Sequence, residues 1–116
     1  MANSPLRIDQ SRSGQVCIVS LAGRVDSSNS AEVMTQLNEL ISAGEKTILV
    51  DFSAVLYLTS AAFRVLLVAT DEAERNAARF ALCNLAGQVR ELFEMGGLLE
   101  VFTVHGSREE ALAQLA

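Results

Sequence analysis

Hydrophobic and polar positions switch between two periods along this chain, and the switches mark its elements. Short β-type runs at Leu6 to Gln10 and Val16 to Leu21 flank polar Ser11, Arg12, Ser13 and Gly14, which predicts a hairpin turning over 11–14. After Gly23 comes a polar patch from Asp26 to Ser30. Val33, Met34, Leu37, Leu40 and Ile41 then recur at one-turn spacings, an amphipathic helix ended near Gly44. Thr47 to Phe52 is almost continuously apolar, the pattern of a strand covered on both faces, and is predicted to be the middle of the sheet. Leu56, Tyr57 and Leu58 lead into Thr59 and Ser60. Ala61 to Glu74 follows as a helix so apolar that it is predicted to be largely buried, with Leu66 and Leu67, or one of them with Phe63, in the core.

The second half repeats the alternation. Arg79 to Cys83 is a strand, Gly87 to Met95 a helix with Val89, Leu92 and Phe93 on one face, and Val101 to Val104 a further strand. Ser107 to Leu115 closes the chain as a helix, with Ser107 as its cap and Glu110 completing a capping box. Alternating strands and helices predict an α/β fold, a mixed sheet of about five strands flanked by about four helices in a single domain over 1–116.

Composition narrows the function. Half of the 116 residues are apolar, enough for a core without disulfide or metal staples, and neither a metal nor a cofactor is expected. A net charge of -5 argues against direct nucleic-acid binding, which draws on clustered Lys and Arg, and favours a protein partner or small ligand. The opening Met1 to Pro5 has no basic segment followed by an apolar one, and no window is long enough to span a bilayer, so a cytoplasmic location without membrane insertion is expected. Cys17 and Cys83 sit in apolar runs without metal-type spacing and read as buried free thiols, and His105, the only histidine, reads as a surface-loop residue. Catalysis is not expected either: there is no Gly-x-Ser-x-Gly elbow and no Gly-rich phosphate loop.

The stretch from Asp51 to Leu67 is the most informative, because a buried strand runs through a loop into a helix opening at Thr59 or Ser60. Two readings of Ser60 stand. As an N-cap its hydroxyl would accept an amide hydrogen bond, worth about 1 kcal/mol. As a modification site it would hold a phosphate at the positive end of a helix, adding a charge of about -1.5 to -2 that acts outward on a partner. Asp26 likewise reads either as a cap or as part of a functional face.

Three segments in order resemble the STAS-domain signature. Asp51-Phe52-Ser53 followed by Tyr57-Leu58-Thr59-Ser60-Ala61-Ala62 is similar to the family's strand end and serine loop, Leu21 to Asp26 to its Leu-x-Gly-x-Leu-Asp turn, and Val89 to Leu98 to its late helix and following turn. Ser60 falls on the family's phosphorylated serine. Thr59 stands where the family carries an acid, which makes Thr59 a second candidate acceptor, and Ala62 stands where it carries glycine. The resemblance implies an anti-sigma factor antagonist, a binding module whose partner-binding face includes Asp26, Ser27, Thr59, Ser60, Ala61 and Ala62. It implies two partners, an anti-sigma serine kinase of the histidine-kinase-like ATPase fold and a PP2C-type phosphatase, with the unphosphorylated form binding the kinase and freeing a sigma factor. The alternative within the family is a STAS subunit that regulates a transport ATPase, or a signalling scaffold, without phosphorylation.

Overall fold

The strand at the centre is the longest. In the computed structural model, which describes residues 6–115, β3 (Thr47–Leu58) lies between β2 (Val16–Val25) and β4 (Arg79–Cys83), with β1 (Leu6–Ser13) and β5 (Thr103–His105) at the edges, in the order β1-β2-β3-β4-β5. The β1–β2 hairpin is antiparallel and the remaining pairs are parallel. The first half of β3 has every residue from Thr47 to Phe52 buried, as its apolar run predicts.

Each parallel step requires a crossover helix: α1 (Ser30–Ser42), α2 (Ser60–Arg75) and α3 (Gly87–Met95). Crossovers of this kind are right-handed almost without exception, and the strand order from β2 to β5 always advances the same way, so all three helices fall on one face. The core bears this out. Val33, Leu37, Val65, Leu66, Ala69, Val89 and Phe93 form one cluster with Val19, Val50, Phe52 and Leu82 of the sheet. The opposite face is left to α4 (Arg108–Leu115), which packs Ala111 and Leu115 on Ile18, Leu49, Ala81 and Cys83. Phe93, fully buried, holds the first cluster together, with Phe52, Phe63 and Phe102 edge-on around it at centroid distances of 6.0, 4.9 and 5.7 Å.

Several boundaries differ from those the sequence predicts. Strand β1 continues through Ser13, and the turn falls on Gly14 and Gln15, with Gly14 at φ 59°. Ser11, Arg12 and Ser13 are polar because they occupy an exposed edge strand, where charge discourages further pairing. Leu98–Glu100 is a short 3-10 turn and Val101 stays outside β5, which starts two residues later than expected. Phe102 in this apolar run plugs the core instead of pairing. Helix α2 is amphipathic, not buried all round: Leu66 is in the core and Phe63 packs against it, but Leu67 and Val68 are 39% and 47% exposed on the opposite face. His105 belongs to β5 rather than a loop, and its Nε2 is buried without a hydrogen-bond partner. Cys17 and Cys83 are buried and free, and burial pushes the Cys83 thiol up to about 12. Among the described residues no helix is long and apolar enough to cross a membrane.

Candidate functional site

Parallel pairing brings the ends of β2 and β3 level, with Val25 opposite Leu58, so the segments that leave them are neighbours. A hydrogen bond from Thr59 N–H to the Val25 carbonyl at 3.0 Å ties them together. The loop from Asp26 to Asn29 and the start of α2 thus share one edge of the molecule, at the carboxyl ends of β2 and β3.

The loop is built from its own side chains. Asp26 Oδ1 accepts from the Ser28 amide at 2.9 Å and the Ser28 hydroxyl at 2.5 Å, and these bonds hold the Asp26 carboxyl below its ordinary range. Its carboxylate caps no helix; the carbonyl of Asp26 instead accepts from Asn29 and Ser30 N–H as the chain turns into α1. Asn29 is the organiser that sequence reasoning passed over. Only 1% exposed, it accepts from Asp26 N–H at 2.9 Å and donates to the Arg24 carbonyl at 3.0 Å. A buried Asn three residues after an Asp is a signal the sequence carries, but one easily lost in a run of polar loop residues.

At the helix start, Thr59 and not Ser60 is the N-cap residue, and its carbonyl accepts from Ala62 and Phe63 N–H. Neither hydroxyl serves as a cap: Thr59 Oγ1 is buried without a partner, whereas Ser60, the first helical residue, is exposed and its hydroxyl is free of any hydrogen bond among the described residues. Ser27 is exposed, Asp26 and Ala61 are half-buried, and Ala62 is 2% exposed, packed in the core beneath the surface formed by the others. Next to them Arg24 lies over the ring of Tyr57, 5.7 Å from its centroid.

A second polar cluster lies on the α4 face. Asp51, 2% exposed, accepts through Oδ1 from the Ser53 amide (2.8 Å) and Asn84 Nδ2 (3.1 Å), and through Oδ2 from Arg108, which also reaches Ser20 Oγ at 3.0 Å. Burial raises this carboxyl, but the hydrogen bonds from Ser53, Asn84 and Arg108 outweigh it and hold it below its ordinary range. The arrangement fastens the start of α4 to the sheet and leaves no oxygen of the carboxylate open.

A mixed sheet of five strands flanked by four helices is the architecture of the STAS class. The chain belongs to the STAS domain family, whose model matches residues 7–111. It is 34% identical over 96 residues, 83% of each chain, to the anti-sigma factor antagonist BtrV of Bordetella bronchiseptica. Its fold is similar to that of an anti-sigma factor antagonist from Mycobacterium paratuberculosis, with a TM-score of 0.86 at 17% identity over 94% of this chain and 92% of that one. It is also similar to the Bacillus cell fate determinant SpoIIAA in its phosphorylated form, with a TM-score of 0.72 at 20% identity over 96% and 99%.

Proposed function

We propose that this chain is an anti-sigma factor antagonist, a binding module whose partner is chosen by phosphorylation of Ser60. In the unphosphorylated form it sequesters an anti-sigma serine kinase of the histidine-kinase-like ATPase fold in the cytoplasm and frees a sigma factor. The kinase ends the complex by modifying Ser60, and a PP2C-type phosphatase restores it. The observation that carries this reading is the free, exposed Ser60 hydroxyl at the start of a 16-residue helix, beside the structured Asp26 loop. A hydroxyl with no structural duty can take a phosphate without unfolding anything, and the helix N-terminus favours the added charge. The name of the Bordetella relative and the solved phosphorylated SpoIIAA support the same class.

Thr59 is disfavoured as acceptor because its oxygen is turned inward. Asp26, Ser27 and Ala61 frame the contact face; Ala62 shapes it from below. Incubation with the cognate kinase and ATP should add one phosphate that fragmentation maps to Ser60. Ser60→Ala should abolish it and Thr59→Ala should not. Full modification of Ser60→Ala, lost only when Thr59 is also replaced, would move the switch to Thr59.

A further inference from the structure

The nine Lys and Arg residues of the chain all lie within the described region, and all but one have a partner. Five form ion pairs, Lys46 and Arg79 donate to backbone carbonyls, and Arg24 lies over Tyr57. Arg64 is the exception: exposed on α2, it has no ion pair, hydrogen bond or ring contact among the described residues. A helical arginine is stabilised by a carboxylate three or four residues away, and this chain uses such pairs elsewhere, with Arg75 on Asp71 and Arg90 on Glu94. The residues at those distances from Arg64 are Ser60, Ala61, Leu67 and Val68, none of them charged. Ser60 is the one that can acquire a negative charge. It stands four residues before the cation, the favourable order for a helical pair.

We propose that Arg64 is the counter-ion held ready for a phosphate on Ser60, an inference that rests on the Ser60 reading above. In the free-hydroxyl form the partner meets an exposed, unpaired cation. Modification adds the phosphate and draws Arg64 onto it, so the same event places negative charge on the surface and withdraws the positive charge beside it. A guanidinium four residues along the helix suits a phosphate particularly well, since charge-assisted bonds to its oxygens are among the stronger ones. Arg64 is on this account a positioning residue for the modified state.

The test uses full-length protein with phosphoserine installed at position 60 during translation, so that neither kinase nor partner is needed. The second dissociation of the phosphate is followed by phosphorus NMR at low salt in the parent, Arg64→Gln and Arg64→Lys backgrounds. A nearby cation favours the dianion, so the acid constant should fall roughly two- to fivefold in Arg64→Gln, and Arg64→Lys should restore most of it. The difference should shrink at about 1 M salt, where exposed charges are screened within about 3 Å. Equal titrations in parent and Arg64→Gln would overturn the role of Arg64 and leave the Ser60 switch standing. A change that Arg64→Lys does not restore and salt does not touch would also overturn it, as an effect of structure and not of charge. Conversely, a Ser60 that no kinase modifies would overturn the switch without altering this titration.

Discussion

Two aspartates in this chain close the same local turn, each accepting the amide two residues ahead, yet they sit in opposite settings. Asp51 is sealed under α4 with every oxygen engaged, by Ser53, Asn84 and Arg108. Asp26 is half-buried and engages one oxygen, with Ser28, at the edge shared with Ser60. The first carboxylate belongs to the architecture and the second to a surface. The difference lies in what covers them: a helix that carries its own arginine, against a loop facing outward beside the free Ser60 hydroxyl.

The largest effect should come from taking away the partner of the sealed carboxylate. Arg108→Ala leaves the buried Asp51 carboxylate without its counter-charge, held by Ser53 and Asn84 alone, and should destabilise by about 2–3 kcal/mol in denaturant unfolding. A cost under about 1 kcal/mol would mean that water reaches Asp51 and that the contrast between the two aspartates is overdrawn. Next comes acid. Both carboxyls are held below their ordinary range, so each contributes stability that is present above the unfolded value near about pH 4 and lost as pH falls through the folded value. Arg108→Gln removes a bond that lowers Asp51, so its acid unfolding, followed by circular dichroism, should begin at higher pH than the parent's. Asp26→Asn should move that curve less, because the group is open to solvent and is held chiefly by Ser28, with smaller help from Arg24 and the Asn29 amide.

Asn29→Ala tests the loop itself. It strands the Asp26 amide and the Arg24 carbonyl, and should cost about 1–3 kcal/mol in the same unfolding assay. The smallest effect is expected at Ser60, where Ser60→Ala should change stability by less than about 0.5 kcal/mol, since the hydroxyl bonds to nothing and caps nothing. A loss near 1 kcal/mol would return Ser60 to the role of a structural cap.

Most of the fold was legible because period and burial agree. The continuous apolar run of Thr47 to Phe52 could only be a central strand, and the one-turn spacing from Val33 to Ile41 only an amphipathic helix. The second half of β3 was not. Against β2 the register shifts twice, between Ser20 and Ala22 and between Gly23 and Arg24, and β3 carries the extra residue each time. Its buried positions, Phe52, Val55 and Leu58, therefore recur every third residue, where strand reading looks for every second. Helix α4 was read almost to the residue, and Ser107 does accept from the Glu110 amide. The Glu110 carboxylate, however, receives Gly106 N–H, one residue before the position a capping box uses. Ser60 was found by its place before an apolar helix, but whether Thr59 or Ser60 held the cap position turned on a single residue of backbone geometry. The Asp51 network escaped because its members, Ser20, Asp51, Asn84 and Arg108, are scattered along the sequence and meet only once the sheet and α4 are assembled.

The claim at the centre of this account is that the state of Ser60 decides whether the partner binds. Calorimetric titration of the cognate anti-sigma kinase into the parent protein, and into protein carrying phosphoserine at position 60, measures it directly. Binding should weaken by roughly tenfold or more in the phosphorylated protein, at least about 1.4 kcal/mol, from charge placed on the contact face. Equal affinity for the two forms would contradict it.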